Sequence, residues 1–276
     1  MEIYQQFKNR VANRLLASNF VKEHVNRSIL HAYPSSHKMG DFKEDDVFIV
    51  GYPKSGNTWM QYLLSGVVYG LHGQNVSGQL VQELIPDVHY KNYYQRFGGP
   101  AYFKSHHLPR QEYQRVIYIV RDGRDVLVSF WHYHKNLTGS QLDYDKLIQM
   151  PIYEFGTWSE HVLSWMDNTY GAQLMCLRYE DLLFNGASEL NKVARFLGLE
   201  IPEKRLKEIV RDNSFKVLQE KERLYGFGRR LWNGGGAFFR RGVAAGFVDE
   251  MPADLVRIFT EQNANALDKF NYLDPA

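Results

Sequence analysis

The 276 residues, 44% hydrophobic and 23% charged, suffice to bury a substantial core and fall within the range of one large domain or two small ones. Basic and acidic residues nearly balance at a formal net charge of +2, so there is no general electrostatic reason to expect nucleic acid as a partner, and any anion binding must come from local basic clusters. No run of about 18 uncharged apolar residues occurs, the N-terminus lacks the apolar core of a signal peptide, and the lone Cys176 excludes an intramolecular disulfide, so neither a membrane-spanning nor a secreted protein is expected and a reducing, cytoplasmic compartment fits.

In chain order, residues 1–30 place Ile3, Phe7, Val11 and Leu15 at i, i+4 spacing, which predicts an amphipathic helix and a helical extension over 1–40. Five basic residues against Glu2 and Glu23 would permit contact with a membrane surface; the apolar stripe is ordinary in size, and packing on the domain is the better reading. Val47–Val50 reads as a short buried strand, and 58–69 as a helix behind a glycine-containing turn. The alternation returns with strands at 101–105 and Arg115–Val120 and a helix at 125–134. A helix over 152–168, a strand at Gln173–Arg178 holding Cys176 as a buried residue, and helices at 186–197 and 202–211 follow. Residues 218–246 break the pattern with seven glycines among five arginines and read as a lid loop or as disorder, before a closing helix at 252–269. Alternating strands and helices predict a single α/β domain over 1–276, with a mainly parallel sheet flanked by helices and a P-loop-like turn after its first strand.

That turn carries the most chemistry. A glycine-rich connection from a buried strand to a helix offers backbone N–H groups and the positive end of a helix dipole to an anion. The nucleoside triphosphate version needs G-x-x-x-x-G-K-[ST]; here Asn57 stands where the lysine belongs, while Gly51, Gly56 and Thr58 keep their places and the lysine has moved to Lys54. Tyr52-Pro-Lys-Ser-Gly-Asn-Thr-Trp59 resembles the 5′-phosphosulfate loop YPKSGTTW of the cytosolic sulfotransferase family at seven of eight positions. The resemblance implies a donor, 3′-phosphoadenosine 5′-phosphosulfate (PAPS), gripped by Lys54, Ser55, Gly56, Asn57, Thr58 and Trp59, with adenosine 3′,5′-bisphosphate (PAP) as product and no metal.

Arg121 ends an apolar strand, and Ser129 follows eight residues on, where ligands gather in open α/β sheets. A guanidinium and a hydroxyl suit a phosphate monoester. Residues 121–129 are similar to the family's 3′-phosphate motif, and Arg240-Arg241-Gly242 is similar to its C-terminal RKG motif, although Ala245, Gly246 and Phe247 stand where the family has glycine, aspartate and tryptophan. For the adenine, the resemblance implies stacking on Trp59 and Phe215 with Tyr179 nearby; each aromatic unaided reads equally as core. Asp122 leaves a second reading open, an apolar strand ending near a Mg²⁺-holding carboxylate, as in a nucleotide kinase or hydrolase with a degenerate P-loop. A catalytically silent nucleotide-binding module is a third.

Sulfuryl transfer to a small-molecule hydroxyl or amine needs a base of near-neutral pKa. Tyr102-Phe-Lys104-Ser105-His106-His107-Leu-Pro109 is similar to the family's KTHLP segment, whose histidine is the base. Counting forward from Lys104 selects His106, and counting back from Leu108-Pro109 selects His107; the strand fixes Lys104, so His106 is chosen. The expected division of labour is in-line attack with His106 as base, Lys54 on the leaving phosphate oxygen and Lys104 on the sulfuryl oxygens. Tyrosines in 89–94 and the aromatic run 131–134 are candidates for an acceptor wall.

Overall fold

The computed structural model describes residues 36–71, 76–139, 144–149, 152–225 and 236–273. Its elements run β1 (Ser36–Lys38), β2 (Val47–Val50), α1 (Asn57–Tyr69), α2 (Gly78–Leu84), β3 (Tyr93–Gln95), β4 (Tyr102–Ser105), β5 (Arg115–Val120), α3 (Gly123–Thr138), α4 (Tyr144–Gln149), a 3₁₀ turn (Tyr153–Phe155), α5 (Trp158–Asp167) and β6 (Gln173–Arg178). Then come α6 (Tyr179–Phe184), α7 (Gly186–Phe196), α8 (Glu203–Asp212), α9 (Phe215–Tyr225), α10 (Phe247–Glu250), α11 (Ala253–Gln262) and α12 (Ala264–Asp268).

The strands order β4-β2-β5-β6, all parallel, beside a two-stranded antiparallel β1–β3 pair. Their near-continuous apolar runs are the pattern of strands covered on both faces, and the two-residue period divides them. Phe48, Val50, Phe103, Val116, Tyr118 and Val120 face one core with Trp158 and Phe259. Val47, Ile49, Tyr102, Ile117 and Ile119 face the other, against the α1 stripe Met60, Leu63, Leu64 and Val67. The register matters most for function. Val50 pairs with both Ser105 and Tyr118, and parallel strands send their carboxyl ends to one edge, so Gly51, His106, Arg121 and Tyr179 leave the sheet side by side.

This single α/β domain matches the expected class, and five local readings change. Residues 36–38 form a strand paired with β3, so a helical extension does not reach residue 40; residues 1–35 lie outside the described residues. The helix expected from 152 begins at Trp158, because Thr157 and Glu160 close a capping box behind Gly156. The closing helix breaks at Asn263, whose side-chain amide donates to the Phe259 carbonyl and competes with the helix ladder. Residues 218–225, expected in the loop, belong to the helix Phe215–Tyr225, and 226–235 lie outside the described residues. Cys176 sits on a strand as expected but is exposed, because β6 is the sheet's edge. Among the described residues no helix is long and apolar enough to cross a membrane.

Candidate active site

A cleft opens over the carboxyl edge of the sheet, and every residue singled out for the site except Ser55 lines it. The loop between β2 and α1 builds its floor. Gly56 caps α1 with φ of 106°, and a Cβ there would come within 2.8 Å of the Tyr179 ring, so only glycine lets loop and ring meet. Lys54 also takes a left-handed conformation, φ 74°, which costs a non-glycine residue of order 1–3 kcal/mol and is the kind of strain found at ligand sites. Its ammonium lies 4.4 Å from the Tyr133 ring centre on α3 and 4.3 Å from that of Phe238 in the lid, a two-sided cation–π clamp. Asn57, the residue that replaces a P-loop lysine, turns its amide inward and donates to the Gly51 carbonyl at 2.9 Å and the Ser105 carbonyl at 3.1 Å, tying the ends of β2 and β4.

Arg121, just past the end of β5, holds its guanidinium carbon 4.4 Å from the Tyr179 ring centre and donates to the Lys54 carbonyl at 3.4 Å and to the Val243 carbonyl at 3.1 Å. Ser129 enters from α3 two turns later. From the other side Arg240, Arg241 and Gly242 close in, with Gly242 at φ 63° and so near Phe215 that a Cβ would fall 2.1 Å from the ring. Trp59, Phe215 and Tyr179 form one aromatic group, with Trp59 to Phe215 centres 5.3 Å apart and Trp59 to Tyr179 centres 5.5 Å apart. The Trp59 indole N–H is anchored on the Asn213 carbonyl at 2.9 Å, which keeps the ring at the cleft. Among the described residues, Ser55 Oγ and Arg121 Nε are buried without hydrogen-bond partners, and a phosphate-bearing ligand supplies the acceptor type that such groups lack.

The two histidines part company. His106 lines the cleft, and its Nδ1 meets the Gly51 carbonyl at 2.8 Å; a carbonyl can only accept, so Nδ1 carries the hydrogen and Nε2 is left as the basic atom. Burial, and then the Lys104 ammonium, hold its pKa well below the usual value despite Asp87. His107 turns away, with Nδ1 2.8 Å from the Tyr113 hydroxyl and 3.1 Å from Ser105 Oγ. Lys104 is buried at the end of β4, lines the cleft, and forms an ion pair of 2.8 Å with buried Asp87.

The sulfotransferase domain family model matches residues 44–271. The chain belongs to the sulfotransferase family. It is 26% identical to the amine sulfotransferase of Oryctolagus cuniculus over 275 residues, 88% of each chain, and 26% identical to sulfotransferase 1B1 of Mus musculus over 70% of this chain and 74% of that one. Its fold is similar to that of a mouse sulfotransferase solved with PAP (TM-score 0.64, 21% identity, 82% and 85% of the two chains) and of retinol dehydratase solved with androsterone and PAP (TM-score 0.62, 19% identity, 82% and 81%).

Ala245, standing where the family pattern has glycine, retains a left-handed backbone with φ 55°. Phe247 donates its N–H to Asp125 of α3 at 2.9 Å and stacks its ring on Arg124 at 4.2 Å. Phe130, Ile152 and Phe155 also line the cleft and were not legible as site residues, since each is an apolar side chain in an apolar setting. Of the aromatic segments proposed for an acceptor wall, Tyr90 and Tyr133 face the cleft, whereas Trp131 stacks on Tyr144 at 5.4 Å. The grouping His89, His107 and Glu154 has the loose spacing of metal ligands among the described residues. His89 Nε2, however, accepts the His106 backbone N–H at 3.0 Å, so the one lone pair of that neutral ring is already engaged.

Proposed function

We propose that this sulfotransferase moves a sulfuryl group from PAPS to a hydroxyl or amine of a small-molecule acceptor by in-line transfer, releasing PAP, with His106 as general base. The carrying observation is the convergence, at the ends of three adjacent parallel strands, of Lys54, Arg121 and a histidine whose Nδ1 is tied back to Gly51. The donor supplies an activated S–O bond; everything else is position and charge. The acceptor oxygen bonds to sulfur, the bond to the phosphate oxygen breaks, and His106 Nε2 takes the acceptor's proton while the Gly51 carbonyl steadies the imidazolium through Nδ1–H. Lys54, clamped between two rings, faces the leaving phosphate oxygen. Lys104, its charge shared with Asp87, supports the sulfuryl oxygens. Arg121, Ser129, Arg240, Arg241 and the Gly242 backbone read the 3′-phosphate, and Trp59 and Phe215 take the adenine beside Tyr179. No metal enters this scheme, and the reducing, cytoplasmic setting suits an exposed lone thiol.

The described cleft lining includes five cations and no carboxylate, which offers a protonated amine no counter-charge and favours hydroxyl acceptors. The test compares thermal stabilisation by PAP with that by ATP plus Mg²⁺. At one hundred times Kd, PAP is expected to add about 2.7 kcal/mol. Stronger stabilisation by ATP plus Mg²⁺ would overturn the reading in favour of a kinase or hydrolase. Labelled donor then separates a transferase from a silent binding module, with hydroxyl acceptors expected to turn over before amines.

A further inference from the structure

The lid arginines share one carboxylate. Arg240 Nη1 donates to Glu250 Oε1 at 2.8 Å and to Oε2 at 2.5 Å, Arg241 Nη1 donates to Oε1 at 2.7 Å, and His132 Nε2 lies 2.7 Å from Oε2. Arg240 and Arg241 line the cleft; Glu250 and His132 do not. The carboxylate therefore stands behind the guanidiniums rather than in the space a ligand would fill. His132 lies on α3 one turn beyond Ser129, so Glu250 also fastens the lid to the helix bearing that hydroxyl. Two other contacts join the same segments, Arg121 to the Val243 carbonyl and Phe247 N–H to Asp125. Burial pushes the Glu250 carboxyl up, but hydrogen bonds from Arg240, His132 and Arg241 outweigh it and hold it at about 2.

Resting on the donor reading above, we infer that Glu250 is the positioning residue of the 3′-phosphate site, setting the spacing and direction of Arg240 and Arg241 before a ligand arrives. Guanidiniums that line one cleft, as Arg121, Arg240 and Arg241 do, repel one another, and long side chains lose rotamer freedom on binding. A shared anion behind them removes both costs from the binding step. The phosphate then meets arginines already held by their Nη1 atoms.

The test measures Kd for PAP and for adenosine 5′-monophosphate, which lacks the 3′-phosphate, by calorimetry on the wild-type chain and on Glu250→Gln. By analogy with the groups that orient metal ligands, the substitution is expected to weaken PAP about tenfold and to move the monophosphate less than about twofold. PAP binding that is unchanged or tighter overturns the inference, since Glu250 would then be idle or a competitor. An equal loss for both ligands also overturns it, because the role would be merely structural. A wild-type chain with no preference for PAP over the monophosphate refutes the donor reading itself. Should Glu250→Gln fail to fold, Glu250→Asp is put through the same pair of titrations, with a PAP-specific loss again expected.

Discussion

Replacing His106 with asparagine isolates the proposed base from the structure around it. The asparagine amide nitrogen can occupy the place of Nδ1 and keep the hydrogen bond to the Gly51 carbonyl, now 2.8 Å long, while the atom at Nε2 disappears. General base catalysis contributes about 10²–10⁴-fold, equivalent to about 3–5 kcal/mol of barrier, so kcat should fall by that factor while Kd for PAP stays within about twofold. His107→Ala is the counterpart. It deletes a half-buried ring bonded to Tyr113 and Ser105, whose hydroxyls remain 3.1 Å apart and can satisfy one another. The expected cost is about 2 kcal/mol of stability, with kcat within about threefold. Initial rates with labelled donor at saturation, paired with calorimetric PAP titrations, read both variants. Because burial depresses the His106 pKa, the ring is neutral through pH 6.5 and the acid limb of kcat/KM should lie below that value. A folded His106→Asn enzyme within tenfold of wild type, or a folded but inactive His107→Ala enzyme, would refute the assignment.

Two further predictions concern stability. Ala245 carries φ 55°, a conformation that costs a residue with a Cβ about 1–2 kcal/mol, while glycine adds about 0.4–1 kcal/mol of unfolded-state entropy; Ala245→Gly should therefore stabilise by about 1 kcal/mol, raising Tm by roughly 2–4 °C, and a lower Tm would contradict the strain. Burial holds His161 at about 4 and His107 at about 3, so below pH 6.5 the unfolded chain binds protons that the folded chain refuses. Stability is complete above pH 6.5 and is lost as pH falls toward those folded values, at up to about 2 kcal/mol between pH 6.5 and 5 for His161, which lies buried on α5, and at less for half-buried His107, whose charge solvent partly screens. Urea unfolding at pH 7 and pH 5 checks this, and equal or greater stability at pH 5 would count against it.

What is legible in the sequence depends on how local its cause is. Val47–Val50, Arg115–Val120 and Gln173–Arg178 coincide with the strands because each apolar run is bounded by polar or glycine residues. The glycine-containing loop after β2 was legible because Gly51, Lys54 and Gly56 fall within six successive residues. The lid was placed too early, since the disruptive glycines begin only at Gly226 and the preceding residues are good helix formers. In the fold that helix organises the lid: Glu222 accepts the backbone N–H groups of Phe238 at 2.6 Å and Phe239 at 3.0 Å. Nothing in the local pattern announces a contact across sixteen residues. Glu250 escaped notice for the same reason, as an ordinary surface-type residue beyond a glycine-rich stretch.

The choice between two adjacent histidines shows how a sheet turns residue types into a site. Motif counting gave two answers because one residue is inserted between Lys104 and Leu108-Pro109. The parallel register favours one of them: Ser105 pairs with Val50, so the next residues on the two strands, His106 and Gly51, are neighbours, and the His106 ring closes on the Gly51 carbonyl. His107 points to the opposite side of an extended backbone and finds Tyr113. Lys104 is constrained by the same geometry. Its backbone bridges to Pro86 and Val88, its ammonium pairs with Asp87, and Asp87 in turn accepts the His89 N–H at 3.0 Å while His89 accepts that of His106. The buried ion pair thus belongs to a chain of contacts ending at the backbone of the proposed base. In the proposed transfer Lys54, on its strained and clamped loop, is the cation assigned to the charge that appears on the leaving oxygen.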